Sequence, residues 1–205
     1  MNASAPQFGN INISRDKVLS RLGYAEGKTI IDAKTGRLVE GEILNAQKLI
    51  VPKQVIASSD IKKDKKGQIL LEPGFAISSL DIAGLLENCE KAYGFAVSIG
   101  SFLEDRRDAY IKDGQTARAL VLDAIGSVAA EELAELTHGQ ISRDAEKESL
   151  KTTRRFSPGY GDWPLEAQKD FLKWLGADMI GIRLTANFQM LPEKSVSAIL
   201  GVKQF

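Results

Sequence analysis

Apolar positions recur along this chain in two rhythms. Spacings of three and four mark helices, and alternating or unbroken apolar runs mark strands. Ser14 precedes Val18, Leu19 and Leu22, which share one helical face, and Gly23 follows. This reads as a short helix with a serine N-cap and a glycine stop. From about 37 to 50, Leu38, Val39, Ile43, Leu44, Ala46 and Leu49 form a second helical stripe, closed by Pro52. Val55, Ile56 and Ile61 predict a strand, residues 64–67 a turn, and Ile69, Leu70 and Leu71 the return strand. Ser78 and Ser79, with Asp81 in the first turn, open a helix through Leu85 and Leu86. Residues 93–99 are β-rich and nearly all apolar, as a buried central strand requires. Helical spacing then runs over 102–111 and from 115 to about 136, the second being the longest helix predicted. Residues 165–175 read as a helix, and 180–184 and 196–200 as strands with Pro192 between them. Residues 1–12 read as a loose tail that Ile11 and Ile13 can anchor.

Strands that come as hairpins and singles with helices between them predict an α+β fold, a twisted mixed or antiparallel sheet flanked by helices. The 205 residues suit one domain, or one domain with an extension, and an apolar fraction of 43% is enough for a core at this size. Residues 1–90, two helices and a hairpin before a third helix, are expected to belong to the same domain as 91–205. No glycine-rich turn follows an early strand, so neither a dinucleotide fingerprint nor a P-loop is present.

Lys+Arg and Asp+Glu each total 27, giving zero formal net charge. That balance argues against a broad footprint for nucleic acid or an anionic membrane. The one basic run, residues 62–67, is short, is interrupted by Asp64 and reads as a solvated hairpin tip. No apolar run approaches membrane-spanning length. Cys89 and His138 are single copies, so an intrachain disulfide is impossible and a Cys/His metal site is disfavoured. Both fit a protein of the reducing cytoplasm. Serine–histidine or cysteine–histidine chemistry would have to use His138, and no supporting motif surrounds it.

Residues 154–164, Arg-Arg-Phe-Ser-Pro-Gly-Tyr-Gly-Asp-Trp-Pro, organise the chain. Two prolines and two glycines in eleven residues forbid a continuous helix or central strand. Gly159 and Gly161 can take positive φ and leave their backbone open to close approach. Arg155 carries a planar fork of donors suited to a carboxylate or phosphate. Tyr160 and Trp163 add flat apolar faces. One reading is a binding loop for a ligand with a carboxylate and a ring. The other is a connecting loop whose rings cap the core and whose arginines are solvated.

On the long predicted helix, Asp123, Ser127, Glu131 and Glu135 are spaced by four and form one polar stripe, with His138 on roughly the same side. A carboxylate on this stripe that faces a cleft can hold an ammonium or sulfonium group; otherwise the stripe is a solvated face. Asp105, Arg106, Arg107 and Asp108 read as ordinary surface ion pairs.

With these residues in view, the chain resembles the activation (reactivation) domain of cobalamin-dependent methionine synthase. Arg155, Pro158, Gly159 and Tyr160 match that family's S-adenosylmethionine signature. Ile180-Gly181-Ile182-x-Leu184-Thr185 and Met190-x-Pro192-x-x-Ser195-Val196-Ser197 follow at the family's distances. The strand around 93–98 and the helix around 130–135 are also similar. The likeness runs from about 91 to 201 and is weak over 1–90. It implies S-adenosylmethionine binding, with Arg155 on the methionine carboxylate and Glu131 on the α-amino group. The backbone of Phe156, Pro158, Gly159 and Tyr160 would meet the adenosine part, with the Tyr160 ring beside it. A second acidic contact of the family would fall near Glu148, one position out of register. Ala186-Asn187 stands where Glu-Ser is usual, and a further family aromatic has no counterpart. The likeness also implies a cobalamin carried by a partner, either a corrinoid protein or a cobalamin-dependent methionine synthase subunit, and a flavodoxin-like electron donor. The function it implies is reactivation of inactive cobalamin by reductive methylation. The alternative is a docking or assembly protein that caps a corrinoid protein without using S-adenosylmethionine.

Overall fold

The computed structural model describes residues 11–25, 28–64 and 68–204. Residues 1–10 of the tail expected over 1–12, and most of the 64–67 turn, lie outside the described residues.

A four-stranded antiparallel sheet in the order β1-β5-β9-β6 forms the middle layer. β5 (Lys91–Ser98) and β9 (Ser195–Gln204) are its centre, and β1 (Lys53–Asp60) and β6 (Leu150–Thr152) are its edges. β1 pairs with β5 over eight residues, from Lys53 opposite Ser98 to Asp60 opposite Lys91. A second sheet, β2 (Lys62–Lys63), β3 (Ile69–Leu71) and β4 (Phe75–Ile77), packs beside it. β7 (Arg183–Leu184) and β8 (Met190–Leu191) form a small hairpin.

Both faces of the main sheet are covered, so its central strands are apolar on both sides. On one face Phe95, Val97, Ala198 and Leu200 pack against four helices. These are α1 (Arg15–Arg21), α2 (Ala33–Ala46), α4 (Phe102–Lys112) and α5 (Thr116–Lys147). Ile11 and Ile13 are buried in this layer. On the other face Ala92, Ala96 and Ile199 pack against α3 (Leu80–Leu85), α6 (Gln168–Leu175) and the small sheet. Here Phe75, Phe171 and Trp174 stack at 5.6–6.0 Å. Gly94 lets α6 come down on β5. A Cβ there would lie 2.5 Å from the Trp174 ring and 2.9 Å from Phe171 and Leu175.

Local signals place several ends. Ser14 caps α1 by accepting from the Lys17 N–H, and Ser79 caps α3 by accepting from Ile82. α2 starts at Ala33 rather than 37, because the Asp32 carboxylate caps it through Lys34 and Thr35. α5 runs eleven residues past the predicted end at 136. Thr137, Ile141 and Ala145 continue its buried stripe at steps of four through the charged segment. Of the strand expected over 180–184, only Arg183 and Leu184 are strand; Ile180 ends a 3-10 turn, Ala177–Ile180, bounded by left-handed Gly176 and Gly181. The short strands β4 and β6 carry no pattern of their own. Among the described residues no helix is long and apolar enough to cross a membrane.

Candidate functional site

The organising loop leaves the sheet along the edge of β9. β6 pairs with the end of β9, Leu150 opposite Gln204 and Thr152 opposite Val202. Beyond it the Thr153 N–H donates to the Gly201 carbonyl at 2.9 Å. Phe156 and Ile199 exchange both backbone hydrogen bonds at 2.8 Å. Alternation along β9 then turns the N–H and C=O of Ser197 to the same edge. Position 158 comes next on the loop, and it is a proline with no N–H to give. The pairing stops there and a cleft opens.

Inside the loop, Tyr160 N–H donates to Ser157 O, Gly159 N–H to Trp163 O, and Trp163 N–H to Tyr160 O. Both backbone groups of Phe156 are spent on Ile199. Among the described residues, the Ser157 N–H and the Pro158 and Gly159 carbonyls are the backbone groups left open from 156 to 160. The two rings of the loop have different fates. Trp163 is 2% exposed and packs edge-on against Phe171 at 5.2 Å, so it is core and not a ligand plate. Tyr160 is 68% exposed beside the cleft.

The far end of the loop is tied to α3. The Asp162 carboxylate accepts from the Ser79 hydroxyl, from Leu80 N–H at 2.6 Å and from Asp81 N–H at 3.3 Å. The Ser79 hydroxyl, then those two amides, hold its carboxyl below the usual aspartate range. Gly161 sits at φ +53°, and a Cβ there would overlap the Asp81 carboxylate.

The cleft has a volume of about 410 Å³. Glu131 of α5, Arg154, Arg155, Phe156, Ser157, Pro158 and Tyr160 line one side. Gln168 of α6, Met190, Ser195, Val196 and Ser197 line the other. Of the residues picked from sequence, Arg155, Phe156, Pro158, Tyr160 and Glu131 meet here. Gly159 (φ +91°) lies within the turn, facing Leu165 rather than the cleft. Glu148, the C-cap of α5, is not among the lining residues.

Arg155 and Glu131 are in contact. Arg155 Nη2 donates to Glu131 Oε1, and to Glu135 Oε1 at 2.9 Å. The Arg155 side chain is 18% exposed, against 53% and 56% for the two glutamates. The whole stripe of α5 is engaged in this way. Asp123 takes Lys194 Nζ at 2.7 Å and Arg107 at 3.1 Å. Ser127 takes Lys194 Nζ at 3.0 Å, and His138 Nε2 lies 3.3 Å from Thr152 Oγ1. The stripe is half-solvated, and each of its groups also has a protein partner. It latches the segments on either side of the cleft. Burial pushes the Asp123 carboxyl up, and Lys194 and Arg107 more than offset this, holding it below its usual range. Arg107 is no ordinary surface charge either. It bridges Asp108, Asp123 and Glu193, and the Glu193 contact foremost raises its affinity for its proton. Glu104 of α4 accepts the Lys194 backbone N–H at 2.9 Å, while burial pushes its carboxyl up.

Gln168 was missed from sequence. It is 4% exposed, donates to the Phe188 carbonyl at 2.9 Å and accepts from the Ser197 hydroxyl at 3.4 Å. Its signal was available: it shares the apolar face of Phe171, Leu172 and Leu175, where a buried polar group needs partners. Ser195 and Ser197 stood in the recognised strand segment, but nothing in the spacing placed them opposite Arg155.

The model of the vitamin B12 dependent methionine synthase activation domain matches residues 81–204. The chain belongs to that family. The matched span covers the loop, α5 and β9, and so every residue that lines the cleft. A solved structure, the MetH reactivation domain bound to AdoHcy, is similar in fold at TM-score 0.68 and 16% identity. The likeness covers 89% of this chain and 71% of that one, and so reaches N-terminal of the family match. No curated protein matches. As an activation-domain member, the chain sets residues 155–160 of the matched span beside the edge of β9, with Arg155 reaching α5.

Proposed function

We propose that this activation-domain protein is an S-adenosylmethionine-binding reactivation module for a separate cobalamin-dependent methyltransferase, methionine synthase first among the candidates. The observation behind the reading is the Arg155–Glu131 pair on the wall of the cleft. An α-amino acid carries a carboxylate and an ammonium on one carbon. A guanidinium and a carboxylate already in contact complement both charges at once. Arg155 would hold the carboxylate, Glu131 the ammonium. Tyr160 would lie along the adenosine ring, and the open backbone groups of Ser157, Pro158 and Gly159 would meet its polar edge. Phe156 would contribute its ring alone, since its backbone is spent. A volume of about 410 Å³ is within the range of small-molecule sites.

Bound S-adenosylmethionine would supply a methyl cation equivalent to a partner's corrinoid, already reduced by an electron from a flavodoxin-like donor, with S-adenosylhomocysteine as the leaving group. The residues here have no proton to move in that step. They hold the donor still and oriented, which is where proximity contributes to rate. The exposed Tyr160 ring at the cleft leaves an apolar surface for a corrinoid protein to close on. Residues 1–90 and 91–205 are proposed to work as one domain, on the strength of the eight-residue β1–β5 ladder. A cytoplasmic setting fits the single cysteine.

One observation favours the alternative, a docking protein that caps a corrinoid protein without using S-adenosylmethionine. Arg155 Nη2 already holds two carboxylates, so the pair is satisfied without a ligand. Titration calorimetry of the full chain separates the two readings. Binding of S-adenosylmethionine and S-adenosylhomocysteine in the micromolar range, abolished in Arg155→Ala with the fold intact, is the expected result. No binding at millimolar ligand, or binding unchanged in Arg155→Ala, would overturn it.

A further inference from the structure

We infer that Glu135 is a positioning residue for Arg155, keeping the guanidinium aimed at the cleft when a ligand's ammonium takes Glu131. The inference rests on the functional reading above and adds a residue that neither the family signature nor the lining of the cleft includes.

Glu131 and Glu135 are one helical turn apart, so their carboxylates stand one above the other on the same face of α5. Both reach the same nitrogen, Nη2 of Arg155. A guanidinium Nη carries two N–H groups, enough for two acceptors. The two glutamates are not equivalent. Glu131 borders the cleft, and Glu135 does not. Glu131 is thus the acid a ligand ammonium meets, and Glu135 holds Arg155 from outside.

An incoming zwitterion makes the difference matter. Its ammonium competes for Glu131 and its carboxylate competes for Arg155. With Glu135 in place, Arg155 keeps one carboxylate on Nη2 and turns its other N–H groups to the ligand. Every charge then has a partner: ammonium with Glu131, and guanidinium with Glu135 and the ligand carboxylate. Without Glu135, a long flexible side chain must be ordered by the ligand alone, and that ordering reduces affinity. The other cleft arginine is no substitute, since Arg154 lies over the Phe156 ring at 5.3 Å. His138, next along the stripe, is held by Thr152.

The test uses the full chain with Glu135→Ala and Glu135→Gln. Affinities are measured for S-adenosylhomocysteine and for 5′-methylthioadenosine, which lacks the amino-acid end. The expected result is a loss of about tenfold for S-adenosylhomocysteine in Glu135→Ala, with methylthioadenosine binding and the melting temperature unchanged. Glu135→Gln, whose amide oxygen still accepts from Nη2, should stay within about threefold of the parent. In the ligand-free protein, the Arg155 guanidinium protons should exchange slowly with solvent in the parent and Gln forms, and quickly in the Ala form. Equal loss for both ligands, no loss for either, or a Gln form as weak as Ala would overturn the inference while the parent still binds. A parent that binds neither nucleoside overturns the functional reading, and this inference with it.

Discussion

Asp81 and Asp162 hold each other's backbone across the junction between α3 and the organising loop. The Asp162 carboxylate accepts the Asp81 N–H at 3.3 Å, and Asp81 Oδ2 accepts the Asp162 N–H at 3.1 Å. Two like charges meet here because each is spent on N–H donors rather than on the other. The pairing pins the end of a loop whose beginning is strapped to β9 through Phe156 and Ile199.

That pin should respond to acid. The folded protein holds the Asp162 carboxyl below its ordinary value, so over the interval between the two values the unfolded chain binds more protons. The tether is complete above the ordinary aspartate value of about 3.9 and is lost as pH falls through the depressed value. Amide exchange at Leu80 and Asp81 should accelerate over that window in the parent. In Asp162→Asn, exchange should show no such acid step; an identical step in both proteins would sink the assignment to Asp162.

Gly161 should tolerate no side chain. Alanine there must adopt φ near +53° and place its Cβ on the Asp81 carboxylate, 3.2 Å from the Phe156 ring. A loss of about 1–3 kcal/mol in urea unfolding is expected. At Gly159, where the added Cβ would meet only Leu165 at 3.4 Å, the loss should be smaller, about 1 kcal/mol. The reverse order would contradict the packing described.

The two rings of the loop should separate stability from binding. Trp163→Ala removes a buried ring beside Phe171 and should cost about 3–5 kcal/mol. Tyr160→Leu should leave the melting temperature unchanged and weaken S-adenosylhomocysteine binding a few-fold, since only ring contact is lost. An unaltered affinity would take Tyr160 out of the site.

Arg107 should matter more than its place in a run of charges suggests. Its side chain is 17% exposed and joins α4 to Asp123 of α5 and to Glu193, just before β9. Its carboxylate partners are half exposed, which discounts the pairs, so Arg107→Ala should cost roughly 1–2 kcal/mol. The loss should shrink in high salt, where the parent's own ion pairs are screened. A variant as stable as the parent at low salt would show that the bridge contributes nothing.

Much of this architecture is written locally. Ser14 and Ser79 cap helices within three residues of themselves, the nearly all-apolar run of 93–99 holds most of the central strand β5, and the four-residue spacing of Asp123, Ser127, Glu131 and Glu135 fixes one helical face. Arg155, Pro158, Gly159 and Tyr160 are legible as a motif because their chemistry and spacing lie within six residues. The end of α5 was misjudged for a related reason: a charged run hid Ile141 and Ala145, whose burial depends on what packs against them. Local pattern carries the larger helices, the central strands and the loop that interrupts them, but not β4, β6 or the 3-10 turn before β7. Which face of α5 meets that loop, that Trp163 turns inward while Tyr160 stays out, and that Gln168 and Ser197 share a cleft with Arg155 were decided by the tertiary structure. Arg155 and Glu131 are 24 residues apart in sequence. Contacts between separate elements depend on how the sheet edge and the helix pack, and no local periodicity carries that information.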